Sequence, residues 1–242
     1  MFESFNLLEK LKEEMEIKLK GGLYHHTQIK LSYNSNRIEG SQLTEDQTRY
    51  IFETNTIGLE NGIANVDDII ETVNHFICFD YMLTHAAEEL TDGLIKVYHR
   101  ILKSSTSMAR KEWFKVGDYK ALPNTVGDME TTPPTETSHK MNELLSLYNK
   151  KPTKTFEDIV EFHHKFESIH PFQDGNGRVG RIIIFKECLK NNIMPFIIDH
   201  NHKLYYYRGL KEWHNEKGFL IGTCQSAQDR YGEIVDYFLN GR

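Results

Sequence analysis

Residues 170–181, which read HPFQDGNGRVGR, combine residue types that bind phosphate groups. Gly175 and Gly177 allow the backbone to turn so that successive amide groups point to one place. We expect that place to be the start of a helix at Arg178, where free N–H groups and the helix dipole attract anions. Arg181 follows three residues later, so both guanidinium groups project from the same helix face. The spacing predicts a polyphosphate site held by backbone amides and two arginines.

Two titratable residues flank this phosphate site and favour a catalytic interpretation. Asp174 immediately precedes Gly175. One carboxylate beside bound phosphates suits Mg²⁺, which keeps most of its waters and takes one or two protein ligands. His170 lies four residues before Asp174, and a neutral imidazole near phosphates can act as a general base toward an incoming hydroxyl. Each residue alone would more often be structural, but their joint occurrence at this spacing predicts a reactive site.

The composition is that of a globular protein and limits the classes of function. Of the 242 residues, 39% are hydrophobic and 26% charged, which argues against a disordered, collagen-like or membrane-spanning chain. The net charge is −6, and no block of like charges predicts a wide nucleic-acid surface. Three well-separated cysteines and an N-terminal segment without an uninterrupted apolar run predict a cytoplasmic protein with neither a disulfide framework nor a signal peptide.

Helical periodicity dominates the chain and predicts a mostly α-helical protein. The positions of the helices are predicted from apolar residues that recur at three- and four-residue steps and from capping signals such as Thr44–Gln47. The predicted helices lie at about 5–19, 25–38, from 45, 66–90, from 92, 138–148, 155–166, 178–190, 205–214 and 229–239. Glycine and proline residues break the pattern between Arg110 and Thr137, where Thr125–Val126 predicts a short strand or hairpin.

The segment 170–181 resembles the signature of the Fic family (filamentation induced by cAMP), usually written HPFx[DE]GNGRxxR, and all nine specified positions are present. The resemblance implies a Fic-type helical bundle with a short β-hairpin flap near the active site. It also implies a protein adenylyltransferase, which transfers AMP from ATP to a Ser, Thr or Tyr hydroxyl of a protein and releases pyrophosphate. ATP and Mg²⁺ are the implied substrate and cofactor, and a target protein or the chain itself is the implied acceptor.

The resemblance also implies a role for each signature residue. His170 is implied to deprotonate the target hydroxyl, and Asp174 to hold the Mg²⁺ that bridges the α- and β-phosphates. The implied phosphate ligands are Gly175, Asn176 and Gly177 as an anion hole, Arg178 at the β-phosphate and Arg181 at the γ-phosphate. Positioning and electrostatic stabilisation dominate such chemistry, as in phosphoryl transfer generally.

Two further segments resemble parts of a Fic protein. Residues 117–134 resemble the flap, which pairs in β-fashion with a segment of the target and selects weakly for its sequence. The flap residues implied to bind the target are Lys120, Leu122 and Asn124. Many relatives carry Arg where this chain has Lys120, which puts the role of that side chain in doubt. Tyr206 and Tyr207 begin a stretch that resembles the YYxxL segment near the adenine pocket, and helix packing is the alternative interpretation of both tyrosines.

Residues 35–40, SNRIEG, fit the inhibitory pattern [ST]xxxE[GN] of Fic proteins. Ser35 and Glu39 are four residues apart, so on a helix they share one face, and Gly40 can end that helix. The resemblance implies that Glu39 pairs with Arg181 and takes the guanidinium that should orient the γ-phosphate, as in a self-inhibited, class II Fic protein. An SxxxEG string by itself is a common helix end. A role for Glu39 in removing AMP, by positioning a water, stays open beside inhibition.

The predicted organisation has three parts, and two other functions stay open. An N-terminal helical region with the inhibitory motif spans residues 1–60, the Fic core spans 61–215, and a C-terminal helical extension spans 216–242. One alternative is transfer of another nucleotide or phosphate-containing group. The other is a non-catalytic nucleotide-sensing regulator, which the presence of His170 argues against. Neither a membrane nor a nucleic acid is an expected partner, whereas the apolar N- and C-terminal helices leave a homodimer open.

Overall fold

The computed structural model describes residues 6–59, 62–127 and 129–241. Within these ranges the chain forms ten α-helices and one short β-hairpin. The helices are α1 (Leu7–Glu16), α2 (Leu23–Ile38), α3 (Glu45–Thr54), α4 (Val66–Thr84), α5 (Asp92–Lys103), α6 (Pro134–Asn149), α7 (Phe156–Ile169), α8 (Asn176–Lys190), α9 (Lys203–Lys211) and α10 (Gly218–Asn240). The hairpin pairs β1 (Thr125–Val126) with β2 (Met129–Glu130) in antiparallel register, with Thr125 opposite Glu130. The predicted fold class, mostly α with a short hairpin, is confirmed.

Side-chain caps set the start of several helices, as the sequence predicts. The Thr44 hydroxyl accepts the Gln47 N–H at 3.1 Å, and the Gln47 side-chain oxygen accepts the Thr44 N–H at 2.9 Å. The predicted capping box is therefore confirmed. Thr155 forms the same reciprocal arrangement with Asp158 at the start of α7. These contacts satisfy backbone N–H groups that have no carbonyl partner in the first turn of a helix.

The helix α4 is shorter than predicted, because it ends at Thr84 and not near Leu90. The chain turns at His85, whose backbone N–H donates to the Tyr81 carbonyl and whose ring stacks on the Tyr81 ring. After the turn, the Leu90 side chain is fully buried in the core. Tertiary packing of the residues after Thr84 thus overrides the helical periodicity.

The helix α10 is longer than predicted, because it begins at Gly218 and not near Asp229. Its first half is rich in glycine, serine and threonine, which are weak helix formers and give a weak local signal. The buried residues Leu220, Cys224 and Ala227 nevertheless lie on one face of this half. Packing of this face, rather than local propensity, holds the segment in a helix.

The helix α8 carries the phosphate-binding sequence through the interior of the protein. All its residues from Asn176 to Leu189 are buried, which is typical of a helix surrounded by other elements. Most of its apolar side chains belong to a core that includes residues of α1, α2, α4, α5, α6, α7 and α10, and Ile184 and Cys188 belong to a second core. The first core draws on all three predicted parts of the chain, whose division at 60 and 215 stays a prediction. Among the helices described, none is long and apolar enough to cross a membrane.

Candidate active site

The loop between α7 and α8, which contains the signature, is held in shape by its own residues. His170 ends α7 in the left-handed region, with φ 51° and ψ 60°, and its N–H donates to the Phe166 carbonyl at 2.9 Å. The Asn176 Oδ1 accepts the Phe172 N–H, and its Nδ2 donates to the Phe172 carbonyl, both at 2.8 Å. The Asn176 side chain is therefore engaged within the loop. Its backbone N–H, in the first turn of α8, is the group that it can offer to an anion.

Both glycines of the loop allow a close approach. Gly175 has φ +84°, a conformation that glycine adopts without strain. A Cβ atom at Gly177 would lie 2.2 Å from the Glu39 Oε1 and 2.9 Å from the Arg181 Nη1. The lack of a side chain at Gly177 therefore admits the Glu39 carboxylate to the N-terminal turn of α8. This is the place where the sequence predicts phosphate.

Arg181 is 4% exposed and bonds two residues at the end of α2. Its Nη2 donates to the Glu39 Oε1 at 2.7 Å and to the Ser35 carbonyl at 2.9 Å, and its Nε donates to the Ser35 hydroxyl at 3.0 Å. Burial would raise the pKa of Glu39, but the charges of Arg181 and Arg178 outweigh it and hold the pKa below its ordinary value. The predicted contact between Glu39 and Arg181 is present, and it places a charged carboxylate in the anion site.

Four ionic side chains form a network beside the Glu39–Arg181 pair. Asp174 and Arg178 are predicted site residues, whereas Lys103 and Glu71 are not. Asp174 accepts from the Lys103 Nζ at 2.6 Å through its Oδ2, and its Oδ1 lies 3.5 Å from the Arg178 Nη2. Glu71, on α4, forms ion pairs with both Lys103 and Arg178. Burial would raise the pKa of Asp174, but Arg178 and Lys103 outweigh it and lower the pKa to about 2. Lys103 is 71 residues from Asp174, so no local spacing predicts this contact.

His170 has a neutral imidazole in the folded protein. Burial, reinforced by the positive charge of Lys120, lowers the pKa of His170 to about 4. Its Nδ1 is buried and has no hydrogen-bond partner in the described part of the chain. A neutral ring can accept a proton from a hydroxyl group, which is the chemistry that the sequence predicts for this position.

The flap lies against the signature loop, and two of its three predicted target-binding side chains are engaged within the protein. The Lys120 Nζ donates to the Asn124 Oδ1 at 2.7 Å and to two other oxygens of the flap and α7. The Asn124 Nδ2 donates to the Phe172 carbonyl at 3.0 Å. Leu122, by contrast, is 45% exposed. Target binding by these three residues stays a prediction, and Leu122 is the one of them that presents its side chain to solvent.

The two tyrosines predicted near the adenine pocket differ in their surroundings. Tyr206 is 1% exposed and its hydroxyl forms a 2.6 Å hydrogen bond with the His163 Nε2, which favours the packing interpretation for this residue. Tyr207 is partly exposed, and its hydroxyl donates to the Ile38 carbonyl at 3.2 Å, next to the end of α2. Adenine binding by either ring stays a prediction.

Asp174 fits Mg²⁺ in a site that nucleotide phosphates complete. Within the described residues, no group of three or more His, Cys, Asp or Glu side chains forms a metal site on its own. Mg²⁺ is commonly held by one or two carboxylates together with phosphate oxygens and waters. The Asp174 side chain is 39% exposed, so a metal bound to phosphates can reach it. The Asp174 Oδ2 would then exchange Lys103 for the metal.

Comparison with protein families identifies the domain that this site belongs to. Residues 89–187 match the model of the Fic/DOC family, a range that runs from just before α5 through the flap and the signature loop into α8. Residues 89–187 are a Fic/DOC domain. The resemblance of the signature to this family is thereby confirmed, while Ser35, Glu39 and Glu71 lie outside the matched range.

Individual relatives carry the name of the same family, and a solved structure shares the fold. The protein adenylyltransferase Fic of Nematostella vectensis is 28% identical over 191 residues, which cover 74% of this chain and 42% of the relative. A probable protein adenylyltransferase of Aquifex aeolicus is 38% identical over 100 residues, which cover 39% of this chain and 30% of the relative. A Fic domain-containing signalling protein from Bacteroides thetaiotaomicron superposes with a TM-score of 0.79 at 22% sequence identity, covering 97% of both chains. The fold is shared over almost the whole chain, although the chain spans less than half the length of these curated relatives.

Proposed function

We propose that this protein is a Fic adenylyltransferase that transfers AMP from ATP to a Ser, Thr or Tyr hydroxyl of a target protein or of itself, releasing pyrophosphate. One arrangement carries the proposal. A neutral His170 lies in the same loop as an anion site that is built from the N-terminus of α8, Arg178 and Arg181. Relatives named as protein adenylyltransferases add support. A base, a polyphosphate site and a candidate Mg²⁺ ligand thus occur within twelve residues of sequence, 170–181.

The reaction uses each of these groups in a defined role. His170 accepts the proton of the target hydroxyl, whose oxygen forms a bond to the α-phosphorus while the bond to the pyrophosphate oxygen breaks. The backbone amides of residues 175–177 and the two arginines bind the phosphates and stabilise the charge that develops on the leaving pyrophosphate. Asp174 would hold Mg²⁺, which would neutralise phosphate charge there.

Glu39 is the proposed inhibitor of this reaction. Its carboxylate lies against Gly177 and pairs with Arg181, so it takes both the place and the cation that a γ-phosphate needs. A carboxylate and a phosphate repel each other in a partly buried site, where water screens charges weakly. ATP that binds beside Glu39 is therefore held in a pose unsuited to in-line attack on the α-phosphorus.

Incorporation of label from α-³²P-ATP with Mg²⁺ tests the transferase and the inhibition together. The variants are wild type, Glu39→Gly, and Glu39→Gly combined with His170→Ala. We expect labelling of Glu39→Gly to exceed that of wild type by about tenfold or more, as for removal of one well-placed charge, and to vanish with the His170 change. γ-³²P-ATP is the matched control, since AMP transfer leaves no label from the γ-phosphate on protein.

Other outcomes identify the alternatives. A folded Glu39→Gly protein that labels no more than wild type contradicts inhibition by Glu39. Label from γ-³²P-ATP, or from a different nucleotide only, indicates transfer of another phosphate-containing group. ATP binding without transfer in every variant indicates a nucleotide-sensing regulator.

A further inference from the structure

Lys103 forms an ion pair with Asp174, the carboxylate to which the metal of the proposed reaction would bind. Its side chain comes from the last residue of α5 and is 1% exposed. The Nζ lies 2.6 Å from the Asp174 Oδ2 and also pairs with Glu71. A Cβ at Gly175 would lie 3.3 Å from the Lys103 Cδ, so the side chain packs directly beneath the signature loop. A lysine this deeply buried needs anionic partners, and here both partners belong to the site.

We propose that Lys103 is a resident cation that competes with divalent metal for Asp174, so that metal binds only after the lysine shifts onto Glu71. The inference rests on the proposed function for the identity of the metal alone. Lysine suits this role because its ammonium is a compact point charge on a flexible stem. Arg178 pairs with Glu71 and lies 3.5 Å from the other oxygen of Asp174, so it stays beside both carboxylates when Lys103 shifts.

The charge balance of the network explains why metal and nucleotide bind together. Glu71 and Asp174 contribute two negative charges, and Lys103 and Arg178 contribute two positive charges. A divalent cation added to this neutral group meets no net attraction and must displace an ammonium that is already hydrogen-bonded. Phosphates of a bound nucleotide supply the missing negative charge. The network thus disfavours metal in the absence of nucleotide.

Glu71 can remain the ion-pair partner of Lys103 after the lysine leaves Asp174. It already contacts both Lys103 and Arg178, so Lys103 can leave Asp174 without becoming an unpaired buried charge. Loss of the only partner of a buried charge is strongly unfavourable. Glu71 lies on α4, outside the residues 89–187 that the family model matches.

Binding of Mn²⁺ to the nucleotide-free protein, followed by the electron paramagnetic resonance signal of free Mn²⁺, tests the proposal. Lys103→Met removes the charge and keeps the stem, and Lys103→Arg keeps the charge. We expect Lys103→Met to bind Mn²⁺ at least about tenfold more tightly than wild type, as for removal of one adjacent positive charge. Lys103→Arg should stay as weak as wild type. Adding Asp174→Asn to Lys103→Met should abolish the gain.

An unchanged Mn²⁺ affinity in folded Lys103→Met, or a gain that survives Asp174→Asn, overturns the proposal. If Lys103→Met does not fold, Lys103→Gln removes the same charge while keeping a hydrogen-bond donor for both carboxylates, and the same expectations apply. The readout needs no AMP transfer. If Lys103→Met binds Mn²⁺ more tightly but Glu39→Gly is not labelled by α-³²P-ATP, the proposed function alone is contradicted. If Glu39→Gly is labelled but Lys103→Met binds Mn²⁺ as wild type does, the role of Lys103 alone is contradicted.

Discussion

Arg181 and Glu39 are 142 residues apart in sequence, and their side chains form a 2.7 Å ion pair at the N-terminal turn of α8. The pair joins the end of α2 to α8, the helix that follows the signature loop. Because the Glu39 carboxylate lies against Gly177, the contact fills the proposed phosphate site as well as engaging Arg181. The proposed inhibition should therefore depend on how firmly the end of α2 is held against α8.

Ser35→Ala should partly release the proposed inhibition. The Ser35 hydroxyl accepts a hydrogen bond from the Arg181 Nε at 3.0 Å, while the Ser35 carbonyl and Glu39 keep their own contacts with Arg181. Loss of one hydrogen bond to a charged group corresponds to at most about 1.5–3 kcal/mol, and here Arg181 keeps its other two acceptors. We expect AMP labelling to rise severalfold over wild type but to stay below that of Glu39→Gly.

Ser32→Ala is the matched control for this experiment. Ser32 lies on the same helix and bonds the His75 Nδ1 at 2.9 Å, with no contact to Arg181 among its hydrogen bonds. Equal labelling of the Ser32→Ala and Ser35→Ala proteins would show that loosening of α2, rather than the bond to Arg181, causes any release.

The kcat/KM of AMP transfer should begin to fall only at a pH far below the ordinary pKa of histidine. Burial and the charge of Lys120 lower the pKa of His170 to about 4, so the ring stays neutral as the pH falls through 6.5. Glu39 acts in the opposite direction, since its charge raises the pKa of His170, and its removal lowers that pKa further. We expect kcat/KM of Glu39→Gly to be constant between about pH 8 and 6. A limb with its midpoint near 6.5, in protein shown by circular dichroism to be folded, contradicts this.

Glu167 should make the folded state less stable as the pH rises. Burial, reinforced by the negative charge of Glu39, raises the pKa of Glu167 from 4.5 to about 8. Between these pH values the unfolded chain releases a proton that the folded protein retains, so the free energy of unfolding falls across this window. The free energy of unfolding, measured with urea, should therefore fall between pH 5 and pH 8 in wild type. In Glu167→Gln this fall should be smaller by about 2 kcal/mol or more.

Glu161→Gln is the control on the same helix. Its carboxylate bonds Lys165 at 2.9 Å, and this bond is the main reason why the pKa of Glu161 lies below its ordinary value. A carboxyl group with a lowered pKa contributes stability that is lost as the pH falls, which is the opposite direction. A Glu167→Gln protein whose pH dependence matches that of wild type would contradict the burial of a neutral Glu167.

Gly209→Ala should destabilise the contact between α9 and α10. A Cβ at Gly209 would lie 2.6 Å from the Leu220 Cα and 2.8 Å from its backbone nitrogen. Backbone atoms cannot rotate away, so the helices must separate, at a cost of about 2 kcal/mol or more. Gly222→Ala, on α10, is the matched control. Its Cβ would meet nothing within 4 Å, so it should stabilise the helix by up to about 1 kcal/mol. Thermal unfolding distinguishes the two, and equal effects would contradict the close packing at Gly209.

Contacts between residues close in sequence account for most of what could be predicted. The signature at 170–181 and the Thr44 capping box are local, because loop geometry and helix spacing determine which groups share a side. The boundaries of α4 and α10 are different. Burial of Leu90 ends one helix early and burial of Leu220 extends the other, and neither packing partner is encoded within the segment itself.

The amino-acid sequence by itself determined the helical class, the turn at the signature glycines and the spacing of Ser35 and Glu39 along one helix face, since each follows from neighbours within about four residues. Tertiary structure alone decided which distant groups meet there. It brought Lys103 and Glu71 to Asp174, and it bonded the Asn124 side chain to the signature loop. The physical reason is that charges act on one another across space, and the packing of α4, α5 and α8 sets those distances.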